Sequence, residues 1–289
     1  MDIQANFGGE YALGWNTLNA NVIRPFMEAN PQGNDHRLTV NWCYSSPEDD
    51  PDRTLGGATF RLLFSRLSED LAPGRSALSA FERISITVSE LFGELDCPVK
   101  FTGARRSPAE QSRIDNVKID LISAVNLNEL VLKGSHLYLS ERFSNIPFHR
   151  LTLLSVSSSN RISVDDTLVL LHSCPLLKNA TFGVVDTADA CELYSRFREL
   201  PAGANFTCKL RQLTITSHVD VSRILTSVRW ENIPTITLNI LDNAVARQDW
   251  GPCLADIPVS TQLTMIGSFP QATMAKILRR VPAAVFRRA

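Results

Sequence analysis

The stretch "HSCPLLKNATF", residues 172 to 182, decides the fold because the periodicity of the chain changes there at a single proline. Before the proline, Leu168, Leu171 and Cys174 have the spacing of one helix face. Pro175 has no backbone N–H and disfavours helical geometry in the residue before it, so the helix is predicted to end at Cys174. After the proline, "LLKNATF" alternates in the way that is typical of a strand.

The helix before the proline also has a start signal. Ser163 is followed three residues later by Asp166, the arrangement of a capping box, and Asp165 adds a second acidic residue at the positive helix end. The two carboxylates could instead suggest acid/base chemistry, but capping accounts for both. The sequence therefore predicts a helix over 163 to 174.

The strand after the proline is one copy of a repeat with the pattern apolar-x-x-apolar-x-apolar. Five copies have all three apolar residues: Leu127/Leu130/Leu132, Leu151/Leu154/Val156, Leu177/Ala180/Phe182, Leu210/Leu213/Ile215 and Ile233/Ile236/Leu238. A weaker sixth copy has Ser260 before Leu263 and Met265. Successive copies begin 23 to 33 residues apart, and most of these steps fall within the ~20–29 residues of a leucine-rich repeat.

The residues between these apolar positions are mostly polar, which indicates strands with one dry face and one wet face. Helices are predicted between the strands, at 163 to 174, 186 to 200 and 220 to 230, with Asp186 and Asp220 as caps of the last two. Neither a lone strand nor a lone helix of this size buries its apolar side, so each unit needs its neighbours. The predicted fold class is α/β: a leucine-rich-repeat-like solenoid (horseshoe) with parallel strands on the concave face and helices on the convex face.

The first part of the chain is less regular. Alternating residues predict strands in "HRLTVNW" (36 to 42) and "ERISITV" (82 to 88), each after a helical stretch, and a further strand is predicted near 115 to 122. The helical stretches are 17 to 30 and 58 to 71. We expect residues 1 to 125 to form irregular N-terminal solenoid units and 126 to 289 to form repeat units, in one continuous domain.

Composition excludes several classes of protein. The 289-residue chain is 44% hydrophobic with a formal net charge of -1, which indicates a folded chain that does not bind nucleic acid. The arginines of "RRVPAAVFRR", residues 279 to 288, fit a solvated helix end and tail. The chain shows neither a signal peptide nor a membrane-length apolar run, which predicts no membrane association and a cytoplasmic or nuclear location.

No motif indicates catalysis or a cofactor. The chain has no phosphate-binding glycine loop, nucleophile elbow or metalloprotease helix, and its five histidines lack ligand spacing. His218 and Asp220 could form a pair, but a turn and helix cap explains them better. The six cysteines contain no C-x-x-C pair and are predicted to be small buried apolar residues. We therefore expect no enzyme activity, no catalytic residue, no cofactor and no metal.

Two segments carry a resemblance to a known family. "HSCPLLKNATFG" resembles the "CP-x-L-x-x-x-x-L" junction of F-box proteins with leucine-rich repeats, and "IPFHRLTLLSV" (146 to 156) is similar to a segment of fungal F-box families. The resemblance implies the substrate-recognition part of a cullin-type ubiquitin ligase. Residues 1 to 26 lack the Leu-Pro-x-Glu opening of an F-box, so binding to the ligase adaptor is not predicted.

The sequence thus predicts a non-enzymatic protein–protein interaction module, whose partner would be a ubiquitin-ligase substrate if the resemblance holds. The alternative is a structural or scaffolding repeat protein with no ubiquitin-ligase link. In both cases the outward strand residues would line the binding surface. The predicted partner-binding residues are Glu129, Lys133, Asn179, Thr181, Gln212, Thr214, Thr237 and Asn239.

Overall fold

The computed structural model describes residues 2–7, 36–44, 70–72, 75–76, 79, 81–90, 121, 123–134, 146–156, 162–185, 206–241, 246 and 248–288. They form a mixed α/β structure with parallel sheet and few helices. The chain divides into two units, the first comprising 1–127, 133–138 and 142–147 and the second the remaining residues. The predicted division at residue 125 and the continuity of the two parts as one domain stay predictions.

The first unit contains a parallel set of three strands. The strands of this unit are β1 (Asp2–Phe7), β2 (His36–Tyr44), β3 (Asp70–Ala72), β4 (Arg75–Ser76) and β5 (Phe81–Glu90). β2 pairs with β1 and with β5, all in parallel, and buried Leu38 lies opposite buried Ile84. The two strands predicted from "HRLTVNW" and "ERISITV" are confirmed as β2 and β5.

The other elements of the first part differ from the predictions or lie outside the described residues. Strand β1 was not predicted. The helix expected at 58 to 71 is wrong at its end, because Asp70 and Leu71 belong to β3, which pairs antiparallel with β4. The rest of that helix and the helix predicted at 17 to 30 lie outside the described residues. So does the strand predicted near 115 to 122, except Leu121, which lies in no strand.

The second unit carries the repeats. Its strands are β6 (Glu129–Gly134), whose last two residues cluster with the first unit, β7 (Leu153–Val156), β8 (Asn179–Val184), β9 (Phe206–Cys208), β10 (Gln212–Ser217), β11 (Val228–Trp230), β12 (Thr235–Ile240), β13 (Gln262–Ile266) and β14 (Val285–Arg287). Its helices are a 3-10 turn (Phe148–Arg150), α1 (Val164–Ser173), α2 (Ser222–Ser227), α3 (Trp250–Cys253) and α4 (Gln271–Arg280). Strands β6, β7, β8, β10, β12, β13 and β14 pair in this order, all in parallel, while β9 and β11 form a separate parallel pair.

The apolar repeat positions lie in register across these strands. One row runs through Leu130, Leu154, Ala180, Leu213, Ile236 and Leu263, and a second through Leu132, Val156, Phe182, Ile215, Leu238 and Met265. All fifteen apolar residues of the first five copies are at most 3% exposed. The predicted register is confirmed, and we call this buried side of the sheet the dry face.

The sixth copy departs from the prediction at its first position. Ser260 is exposed, and Thr261 is buried in its place. The Thr261 Oγ1 donates a hydrogen bond to the Ile233 carbonyl oxygen at 2.7 Å, so the polar side chain is satisfied inside the core.

A further row of the dry face ends at a glycine. Val184, Ser217 and Ile240 lie side by side on β8, β10 and β12, and all are buried. Gly267 follows β13 with a φ of +142°, and a Cβ there would lie 2.5 Å from the Ile240 carbonyl oxygen. Only glycine accepts both this φ and this close approach.

Helix α1 begins and ends as the sequence predicts. Ser163 Oγ accepts a hydrogen bond from the Asp166 N–H at 3.1 Å, and an Asp166 carboxylate oxygen accepts one from the Ser163 N–H at 3.1 Å. This confirms the capping box. The last helical residue is Ser173 and the C-cap is Cys174, directly before Pro175. The Leu177 N–H donates to the Cys174 carbonyl oxygen at 3.1 Å.

The helix predicted at 220 to 230 is shorter than expected. It ends at Ser227, because Val228–Trp230 forms strand β11 beside β9, and the Trp230 indole N–H is held by the Leu225 carbonyl oxygen at 2.9 Å. Asp220 accepts from the Ser222 N–H at 2.7 Å but lies one residue before the N-cap, Val221. The helix predicted at 186 to 200, with its proposed cap Asp186, lies outside the described residues.

Candidate interaction surface

The opposite side of the same strands is polar, and we call it the polar face. Its rows follow from the strand register. The first row contains Glu129, Leu153, Asn179, Gln212, Thr235 and Gln262; the second Val131, Ser155, Thr181, Thr214, Thr237, Thr264 and Val285; the third Gly183, Thr216, Asn239, Ile266 and Arg287. Four adjacent strands therefore carry threonine at one level, the Thr181, Thr214, Thr237 and Thr264 row.

The structure brings together six of the eight residues that the sequence nominated. Asn179 lies opposite Gln212 in the first row, and Thr181, Thr214 and Thr237 are neighbours in the second. Asn239 lies in the third row, two residues along β12 from Thr237. Gln212 is exposed and the threonines are half-buried, so this surface presents hydroxyl and amide groups at close intervals.

The two remaining nominated residues lie on β6. Glu129 belongs to the first row, but Leu153 of β7 separates it from Asn179. Lys133 is exposed and lies beyond the part of β6 that pairs with β7, which ends at Leu132. Neither residue is adjacent in the sheet to the group on β8, β10 and β12.

Sequence reasoning missed the end of the polar face. Strand β14 adds Val285 and Arg287, because Val285 lies opposite Thr264 and Arg287 opposite Ile266. The signal was present: Val281, Ala284 and Phe286 form a seventh copy of the repeat, with alanine in the second position as at Ala180. Phe286 packs edge-on against Phe269, with ring centroids 5.8 Å apart, and this contact holds the strand in place.

A small cavity lies at the end of α1. It has a volume of about 200 Å³, and its lining includes Cys174, Cys208, His172, Phe206 and Lys209. Burial raises the pKa of both thiols to about 12. The thiols are therefore protonated at neutral pH and are poor nucleophiles. These two cysteines and Cys253 are buried, as the sequence predicts.

The buried carboxylate of Asp166 also serves structure. Loss of water raises its pKa to about 6, while its hydrogen bonds from Ser163 and the nearby Asp165 charge have smaller effects. The carboxylate accepts from both Ser163 N and Ser163 Oγ, the latter at 2.7 Å. Asp165 is exposed and forms an ion pair with Arg223 at 2.5 Å.

The described residues contain neither a metal-binding cluster nor a membrane-length helix. Within the described ranges, no group of three or more His, Cys, Asp or Glu side chains is arranged to hold a metal ion. None of the helices in the described part of the chain is long and apolar enough to cross a bilayer.

Comparison with protein-family models, with curated proteins and with solved structures gives no match. The polar face is therefore interpreted from its own geometry.

Proposed function

We propose that the repeat-bearing part of this chain is a leucine-rich-repeat-like solenoid whose polar face binds a protein partner without catalysis. One observation carries the proposal: the threonine row and its amide neighbours run across four adjacent parallel strands, while the alternate residues are buried. A solenoid stacks one strand from each repeat, and its strand face provides an extended surface for binding.

Hydrogen-bonding capacity supports the choice of a protein as the partner. Threonine, asparagine and glutamine side chains both donate and accept hydrogen bonds, and a protein surface offers both kinds of group. The threonine row and its amide neighbours carry no charge and give little attraction for a nucleic acid backbone, which is recognised largely through lysine and arginine. The cavity beside α1 holds no activated nucleophile.

The resemblance to F-box proteins suggests the identity of the partner. On that hypothesis, the bound protein is a substrate of a cullin-type ubiquitin ligase. The competing hypothesis is a structural scaffold with no ligase link. Both hypotheses use the same binding face, and they differ in whether ubiquitin-ligase subunits bind the chain as well.

Affinity purification with mass spectrometry tests both points. We expect partners recovered by the wild type to be lost from the double variant Thr214→Arg/Thr237→Arg, because two bulky charges would disrupt a close-fitting contact. Thr226→Arg is the matched control, at an exposed position on α2 away from the face. Circular dichroism verifies that all variants are folded.

The outcomes separate the hypotheses. Recovery of adaptor and cullin subunits with the wild type supports the ligase version, and face-dependent partners without them support the scaffold version. Identical partners for the wild type and the double variant would show that the polar face does not bind them. Recovery of no reproducible partner would also contradict the proposal.

A further inference from the structure

The last part of the chain has an unusual charge distribution. Residues 257 to 289 contain five Lys or Arg and no Asp or Glu. Because the whole chain has a formal net charge of -1, the preceding 256 residues carry -6. A positive end on an otherwise negative protein orients an approaching acidic partner.

Two of the five cations already have partners. Lys276 forms an ion pair with Asp249 at 3.4 Å. Arg280 donates to the carbonyl oxygens of Leu254, at 3.4 Å, and Ala255. The side chains of the other three, Arg279, Arg287 and Arg288, are exposed and form no hydrogen bond or ion pair with any residue of the described ranges.

Strand β14 puts one of these arginines on the polar face. Arg287 continues the third row beside Ile266, and Val285 continues the threonine row beside Thr264. Val285 is 41% exposed and Ile266 is half-buried, so apolar surface adjoins the guanidinium group. Arginine next to exposed apolar surface is the kind of residue that anchors protein interfaces, and the rest of this face provides no arginine.

We infer that the β14 end of the polar face, formed by Val285 and Arg287, together with Arg288 next along the chain, binds a short acidic segment of a protein partner. The guanidinium groups pair with Asp or Glu carboxylates, which match their planar donor geometry. Val285 and Ile266 contact an apolar residue within the same segment. This inference rests on the proposed function of the polar face and adds the chemistry of the partner.

Charge favours a short peptide over other anionic partners. A nucleic acid is a long polyanion, and the net charge of -6 on the preceding residues repels it. Basic clusters that bind anionic lipid contain about 4–8 Lys or Arg, and only three cations remain unpaired in this stretch. A short acidic segment needs no more than Arg287 on the face of Val285 and Arg288 next along the chain.

A structural role for the arginines is the competing explanation. Charged residues on a short edge strand prevent pairing with other chains. Charge reversal separates the two roles, because Arg287→Glu/Arg288→Glu keeps the edge charged but repels an acidic segment. Lys209→Glu/Arg229→Glu is the matched control, since it changes the net charge equally at two exposed cations away from the polar face.

The probe is a fluorescein-labelled decapeptide of Glu and Asp around a central Leu, and the control peptide has Gln and Asn in their place. Fluorescence anisotropy at physiological salt should show binding of the acidic peptide alone. The Arg287/Arg288 variant should weaken it by about tenfold or more, while the Lys209/Arg229 variant should retain affinity within about twofold. Thermal unfolding verifies that both variants are folded.

Three results would overturn the inference: no binding of the acidic peptide, equal losses in both variants, or tighter binding of single-stranded RNA or phosphatidylserine vesicles than of the peptide. Sedimentation of the wild type tests whether a second copy of the chain occupies the site instead. If partners still depend on Thr214 and Thr237 while the acidic peptide fails to bind, this inference fails and the proposed function stands.

Discussion

The two faces of strand β10 show how one short sequence serves two purposes. Leu213 and Ile215 point to the dry face and are fully buried, while Thr214 and Thr216 between them are half-buried on the polar face. The dry residues continue into rows on the neighbouring strands, as do the polar ones. Stability depends on the first set and the proposed binding on the second, so each set can change without the other.

The largest loss of folding stability is expected from substitutions on the dry face. Leu154→Ala and Leu213→Ala should each lower the free energy of unfolding by roughly 2–5 kcal/mol, because each removes buried methyl groups and leaves a cavity. Thr214→Ala, the control on the polar face, should cost about 0.5 kcal/mol or less. Urea unfolding followed by circular dichroism measures all three. Equal small losses would mean that the assignment of the faces is wrong.

The next largest effect on stability is expected at Asp166, a carboxylate in the first turn of α1 that is 3% exposed. Burial raises its pKa from 3.8 to about 6, so the folded chain holds the proton more tightly than the unfolded chain. This contribution to stability is complete below pH 3.8 and is lost as pH rises through about 6. At ~1.4 kcal/mol per pKa unit, the loss is roughly 3 kcal/mol.

The variant Asp166→Asn lacks the titrating group, so its stability should fall less over this range. Urea unfolding at several pH values between 3.8 and 6 compares the two proteins. Stability curves of equal slope would show that burial of Asp166 does not perturb its titration.

A smaller loss of stability is expected at Thr261, whose hydroxyl group is buried among apolar residues. Thr261→Val keeps the shape of the side chain but removes the hydrogen bond to the Ile233 carbonyl oxygen. We expect a loss of about 1 kcal/mol. Ser260→Ala, at the exposed neighbouring position, is the control and should be neutral in the same unfolding measurement. A more stable Thr261→Val protein would show that apolar packing outweighs this hydrogen bond.

Much of the second unit could be predicted from its sequence, because strand register here follows from local patterns. The sequence predicted the capping box of Ser163 and Asp166, the helix end at Pro175 and five copies of the repeat. The sequence also predicted that Thr181, Thr214 and Thr237 share the polar face, since they alternate with buried neighbours. Their role in binding stays a prediction.

Other elements depended on contacts between distant residues. Val228–Trp230 continued a helical pattern in the sequence but forms β11, because β9 offers it a partner strand. Ser260 and Thr261 differ little in polarity, and the carbonyl oxygen of Ile233, 28 residues away, selects the one that is buried. Strand β14 was missed because its copy of the repeat contains alanine and proline, and because the Phe269 ring that Phe286 contacts lies 17 residues earlier in the chain.

By itself, the sequence determined the alternation of apolar and polar residues, the helix boundaries at Ser163 and Pro175, and the order of the repeats. These features are local, since side-chain spacing and backbone geometry specify them within a few residues. Only the tertiary structure decided that β9 pairs with β11 and that Thr261, which bonds to the Ile233 carbonyl oxygen, is buried in place of Ser260. Those outcomes depend on pairing between segments far apart in the chain, and no local pattern encodes which segments meet.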